Sequence, residues 1–204
     1  MADVGDTVII DSGGANLASL RYALERQGAR ARMARSPGEL DGAARAILPG
    51  VGAAADAMAR LQSNGLGEAL RRYERPLLGI CLGMQLLFER SDEGGTDCLG
   101  LLPGRVTALV PAPGLPVPHM GWNTLEVLRP DPLLAGIAGD DWVYFVHGYH
   151  VAAADAGAAM LARTDHGTAV TAAVRRGNLM GVQFHPERSG AAGARLLANF
   201  LAMA

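Results

Sequence analysis

The chain has 204 residues, half of them apolar, enough to bury a sizeable core as one domain over residues 1–204. Its formal charge is −2 and all 18 basic residues are arginine, so no global basic field is present to hold nucleic acid or an anionic membrane surface. Two cysteines make no disulfide framework, no charged-then-apolar leader opens the chain, and no apolar run reaches the length of a membrane span, so a soluble cytoplasmic protein is expected.

The predicted elements begin with a strand at 7–11, TVIID, and a helix at 16–27, where Leu17, Leu20 and Leu24 share a face before Gly28 stops it. Strands at 30–34 and 45–48 follow, then helical patterns at 53–62 and 66–73. Next comes 76–88, PLLGICLGMQLLF. Its first half is the short apolar run of a buried strand, and its second half spaces Met84, Leu87 and Phe88 as on a helix face. Such alternation predicts a mainly parallel sheet covered on both faces by helices, an α/β class. Further on, strands are predicted at 105–110, 123–128, 142–146, 159–164, 168–175 and 179–184 with few helices between them, adding antiparallel strands in the C-terminal half. Residues 111–118, PAPGLPVP, read as an extended loop, and 189–203 as a closing amphipathic helix carrying Leu196, Leu197, Phe200 and Leu201.

Cys81 sits at the joint of the central strand and helix, with Gly79 and Gly83 two residues away on either side. That is the spacing of a nucleophile elbow, with cysteine in place of serine. An abrupt strand-to-helix turn brings backbones together and forces unusual dihedrals, both tolerated best by glycine. It also exposes the sulfur beside the positive end of a helix, a setting that favours the thiolate. A buried core cysteine accounts for the same apolar run, but not for the glycine bracket. A base is also needed. His185 ends the apolar strand MGVQF and is followed by Pro186 and Glu187; the proline disfavours a helical conformation at His185. If the extended geometry continues, His185 and Glu187 point to one side, and the carboxylate can orient the imidazole. A hydrogen-bonded turn histidine and a glutamate placed for a helix dipole are the alternative reading.

GICLGMQLL at 79–87 together with GVQFHPERSG at 181–190 resembles the class I, triad-type glutamine amidotransferases. LPGVG at 48–52, PHMGWN at 118–123, YFVHGYH at 144–150 and the opening IDSGGANLASL at 10–20 narrow the resemblance to the family of glutaminase subunits of imidazole glycerol phosphate synthases, over essentially the whole chain. The resemblance implies the three-layer fold of class I glutamine amidotransferases, with a mainly parallel central sheet. It implies glutamine hydrolysis to glutamate and ammonia, with ammonia passing into a (β/α)8-barrel cyclase subunit in a heterodimer of histidine biosynthesis. No cofactor and no metal is called for.

Carried over by position, Cys81 is the nucleophile, His185 the acid and base, and Glu187 its support. The oxyanion hole is expected from the Leu82 N–H and from Val51 and Gly52, in a loop that a flip on partner binding can complete. A plain strand-end turn is the other reading of Pro-Gly there. Gln85, one helical turn beyond Cys81, matches a glutamine-binding position, as do Gly148 and Tyr149. The family often has a hydroxyl residue at the place of Gly148, which removes a side-chain contact. His119, Met120, Gly121, Trp122 and Asn123 read as a docking loop, since Trp and Met in an otherwise polar loop are enriched in interface cores. Asn16, Tyr144 and Arg188 align with further interface positions. His147 and His150 are read as local hydrogen-bonding residues, because no carboxylate or thiol accompanies them at a ligand spacing. Cys98, on a polar loop without a nearby basic residue, is expected to be inert. A free-standing cysteine hydrolase would explain Cys81 but not the HPE segment or PHMGWN, and a non-catalytic binding module would not need the intact Cys81, His185 and Glu187.

Overall fold

The computed structural model describes residues 6–13 and 17–203. In chain order the first half comprises β1 (Thr7–Ile10), α1 (Leu17–Arg26), β2 (Ala31–Ala34), α2 (Pro37–Asp41), β3 (Arg45–Gly50), α3 (Ala54–Ser63), α4 (Leu66–Arg71), β4 (Leu77–Cys81) and α5 (Leu82–Gln85). Three short strands follow, β5 (Arg90–Ser91), β6 (Thr96–Asp97) and β7 (Arg105–Ala108). The second half carries β8 (His119–Thr124), β9 (Glu126–Val127), β10 (Trp142–His147), β11 (Tyr149–Val151), α6 (Ala153–Ala156), β12 (Met160–Asp165), β13 (Ala169–Arg176), β14 (Leu179–Val182) and α7 (Gly190–Leu201).

The main sheet runs in the order β2-β1-β3-β4-β14-β13-β12-β9. Pairing is parallel from β2 to β14 and antiparallel from β14 to β9, the expected division between the two halves. Alternating side chains feed two cores: Val8 and Ile10 join the core under α3 and α4, and Ile9 joins the one under α1 and α7. A strand buried on both faces needs apolar residues throughout, and LLGIC in β4 supplies them, with all five residues buried. Among the described residues no helix is long and apolar enough to cross a membrane.

Three expectations need correction. The helix after Cys81 stops at Gln85 instead of running to Phe88. The carbonyls of Leu86, Leu87 and Phe88 accept from the N–H groups of Leu99, Leu101, Leu102 and Gly100 at 2.8–2.9 Å, so the returning chain takes the bonds that would have extended the helix. Met84, Leu87 and Phe88 are still fully buried in one core. The strand expected at 123–128 is two pieces, β8 and β9. PHMGWN is therefore no loop: His119–Thr124 pairs antiparallel with Trp142–His147 in a separate two-stranded ribbon.

Candidate active site

Cys81 ends β4 with φ 54° and ψ −115°, making it the sole non-glycine with positive φ among the described residues. Such a conformation costs on the order of 1–3 kcal/mol and clusters at functional sites. The flanking glycines act through close approach. A Cβ on Gly83 would lie 1.8 Å from the Leu48 carbonyl oxygen, and one on Gly79 would lie 2.6 Å from that of Gly83. Neither has positive φ; the unusual dihedral falls on the cysteine itself. Leu82, the first residue of α5, follows directly, and Gly50 at the end of β3 is the register partner of Cys81. Val51 and Gly52 therefore leave β3 beside the sulfur, with Gly52 at φ 92°. The Ser12 hydroxyl donates to the Pro49 carbonyl at 2.6 Å and ties the start of this turn to the end of β1.

A cleft of about 440 Å³ opens over the sulfur, and its walls include Val51, Gly52, Leu82, Gln85, Gly148, Tyr149 and His185. His185 Nδ1 lies 2.8 Å from Glu187 Oε1, and both side chains are about 5% exposed. His185 is extended, as the following proline predicts, but residues 186–188 turn as a 3-10 helix. The contact thus comes from a tight turn and not from continued extension. Backbone anchors hold that turn: His185 N donates to Tyr144 O at 2.9 Å, and Ser189 Oγ donates to His185 O at 2.7 Å. Burial alone would pull the His185 pKa down, yet Cys81 and Glu187 outweigh it and hold it at about 10. Among the described residues its Nε2 finds no hydrogen bond of ordinary geometry, although Cys81 is near enough to favour the imidazolium.

Gln85 is buried and its Nε2 donates to Tyr149 O at 2.8 Å and to Gln183 Oε1 at 2.9 Å. A Cβ on Gly148 would meet only Val117 Cγ1, at 3.8 Å. Two residues near the sulfur or its cleft were not singled out from the sequence. Glu93 lines the cleft, its carboxylate fixed by the Ala54 N–H at 2.7 Å. Gln183 is fully buried and approaches Cys81 Sγ at 3.7 Å. Its place two positions before His185, just past the end of β14 and between the apolar Val182 and Phe184, is the one signal that pointed to it.

The ribbon of β8 and β10 divides the expected docking residues. Met120 and Trp122 lie on its outer face, 63% and 52% exposed, with Trp142 at 58%. Trp122 packs edge-on to its register partner Tyr144, with centroids 5.8 Å apart, and the Arg188 guanidinium lies 4.3 Å over the Tyr144 ring. Gly121, at φ 131°, lies between Met120 and Trp122. His119 lies apart from these residues: it is buried on the inner face, stacked against Phe145 and His166, with Nδ1 3.0 Å from His147 Nε2. Asn123 shares that inner side and donates to Asp165 O at 2.8 Å. Asn16 lies outside the described residues.

His147 is a local hydrogen-bonding residue, with Nδ1 2.9 Å from Tyr149 O. Burial, reinforced by His119, presses its pKa to about 3, so it is neutral near pH 7. His150 is buried as well, and its Nδ1 has no hydrogen-bond partner among the described residues. No group of three or more His, Cys, Asp or Glu among the described residues is placed to hold a metal ion. Cys98 is buried, not on an open polar loop, and burial pushes its thiol up to about 11, which agrees with an inert residue.

The family model for class-I glutamine amidotransferases matches residues 8–204. The imidazole glycerol phosphate synthase subunit HisH of Xanthomonas axonopodis pv. citri is 57% identical over 198 residues, which span 97% of this chain and 98% of that protein. The chain belongs to the class-I glutamine amidotransferases, among the HisH subunits of imidazole glycerol phosphate synthase. HisH of Xylella fastidiosa strain Temecula1 is 56% identical over the same shares. A crystal structure titled glutamine amidotransferase superposes with a TM-score of 0.76 over 97% of both chains; at 22% identity it speaks for the fold alone. As a HisH-family glutamine amidotransferase the chain is an enzyme, and the strained cysteine lines the same cleft as the histidine.

Proposed function

We propose that this HisH chain, as one domain over residues 1–204, hydrolyses glutamine through Cys81, His185 and Glu187. The ammonia then passes to a (β/α)8-barrel cyclase subunit that makes imidazole glycerol phosphate and aminoimidazole carboxamide ribonucleotide in histidine biosynthesis. The observation that carries this reading is the strained Cys81 on the same cleft as a His185 fastened to Glu187 at 2.8 Å.

The Cys81 thiolate attacks the side-chain amide carbon and forms a C–S bond, while the C–N bond breaks as the His185 imidazolium gives its proton to the leaving nitrogen. Neutral His185 then takes a proton from water. That water adds to the thioester, the C–S bond breaks with its electron pair returning to sulfur, and glutamate leaves. The Leu82 N–H, with one from the Val51–Gly52 turn, stabilises the oxyanion. Gln85, Gly148 and Tyr149 wall the glutamine, and the Glu93 carboxylate suits its α-ammonium group. A second cavity of about 20 Å³, bordered by Val51, Ile80, His185 and Glu187, has room for about one molecule the size of water or ammonia. Escape into bulk water would protonate ammonia and remove its nucleophilic lone pair, so a sheltered route preserves its reactivity.

Met120, Trp122, Tyr144 and Arg188 form the exposed docking face for the cyclase in a cytoplasmic heterodimer. Asn16, Gly121, His119 and Asn123 belong to the same proposed contact region, the last two acting from beneath the ribbon. A glutamine-analogue electrophile such as a diazoketone tests the nucleophile: mass spectrometry should find it on Cys81, and labelling elsewhere or nowhere in the presence of the partner would contradict the reading.

A further inference from the structure

Gln183 has no exposed surface, and its orientation is dictated by a group that cannot change role. A backbone carbonyl oxygen only accepts hydrogen bonds, so the end of Gln85 lying 2.8 Å from Tyr149 O must be its NH2 group. The same nitrogen lies 2.9 Å from the Gln183 side chain, whose near atom must then be the carbonyl Oε1. The Gln183 NH2 group is left facing Cys81 Sγ at 3.7 Å. A second neighbour of the sulfur has the opposite preference. Val146 O lies 3.8 Å from Sγ and receives a contact that only the S–H form can make.

We propose that Gln183 is a catalytic residue of glutamine hydrolysis: its side-chain N–H, aimed by Gln85 and the Tyr149 carbonyl, holds the Cys81 thiolate for attack and again when the thioester breaks down. The donor is neutral, so it stabilises the sulfur anion without adding a second cation that would bind it as an ion pair. When the C–S bond forms, the sulfur loses its charge and the hydrogen bond weakens. When the C–S bond breaks, the electron pair returns to sulfur beside a donor still held in place. Gln85 thus does more than wall the pocket, since its NH2 group fixes which end of Gln183 meets the sulfur.

This inference rests on Cys81 being the nucleophile, and the test separates the two. In the full chain carrying Cys98→Ala, Cys81 is the one thiol, and its alkylation by iodoacetamide follows the thiolate fraction. Gln183→Met removes the donor at similar volume. Gln183→Glu keeps the Oε1 acceptor for Gln85, so it preserves the buried contact if the methionine variant does not fold. Each variant should lower the alkylation rate near pH 7 about tenfold, with the rate recovering as pH is raised. With the barrel subunit present, kcat for glutamine hydrolysis should fall by a similar factor at little-changed KM. Alkylation that is unchanged, or lowered by one factor at every pH as a packing defect would do, overturns the role of Gln183. Glutamine hydrolysis that survives Cys81→Ala overturns the nucleophile instead.

Discussion

Gly50 and Cys81 face each other as register partners across β3 and β4, so the strand that delivers the candidate oxyanion turn ends beside the sulfur. The pairing is close because glycines line it: a Cβ on Gly50 would lie 2.8 Å from Gly83 N, and one on Gly83 would overlap the Leu48 carbonyl. Backbone cannot retreat as a flexible side chain can. Gly83→Ala should therefore destabilise the fold by about 1–3 kcal/mol or more, read by denaturant unfolding. Gly148→Ala, whose Cβ would make only an ordinary van der Waals contact with Val117 Cγ1, should stay within about 0.5 kcal/mol. Equal stability of the two variants would contradict this account of the elbow.

Cys81→Ala should abolish glutamine-dependent synthesis by the complex and leave synthesis from added ammonium salts intact, since the barrel's own site is untouched. The measurement is product formation with each nitrogen source. Loss of both activities would refute the division of labour between subunits.

Glu187→Gln removes one of the two groups that hold the His185 proton. Against burial, Cys81 and Glu187 raise His185 from its ordinary 6.5 to about 10. The sign follows: protonation of His185 favours the folded state, fully so below about 6.5, and this contribution is lost as pH rises through about 10. Without the carboxylate the folded value drops toward 6.5 and the window closes from its alkaline end. NMR titration of the His185 ring should move to lower pH, and glutamine hydrolysis at neutral pH should fall roughly a hundredfold. An unmoved titration would mean that Cys81 alone holds the proton.

Trp122→Ala should weaken association with the barrel subunit by about tenfold or more, as expected for an exposed aromatic anchor packed on Tyr144, while the isolated chain unfolds near the wild-type midpoint. Calorimetric titration of the two subunits gives the affinity. Unchanged affinity and unchanged coupling would remove the outer face of the ribbon from the interface.

Much of this architecture was legible from residue order. The alternation of apolar runs and helical patterns up to Cys81 predicted the parallel half, since a strand buried on both faces must be apolar throughout. Cys81, His185 and Glu187 stood out because glycine and proline punctuate them. What was hidden has physical reasons. β8 carries its large apolar residues outward, so its alternation reads as a loop with misplaced hydrophobics until β10 supplies its pairing. The stop of α5 depends on bonds from residues 99–102, which no local pattern announces. Glu93 lies in a polar stretch that reads as solvated, and only the folded chain turns it onto the cleft. Gln183 looks like one polar residue in a strand; its meaning comes from Gln85, 98 positions away.

The most direct test measures glutamate released from glutamine by this chain alone, with the barrel subunit, and with the barrel subunit and its nucleotide ligand. A turn with glycine on both sides of Val51, completed as an oxyanion hole by a partner-driven flip, predicts strong release only in the third mixture. Equal release in all three would mean a hole already assembled in the isolated chain and would contradict coupling of glutamine hydrolysis to the partner.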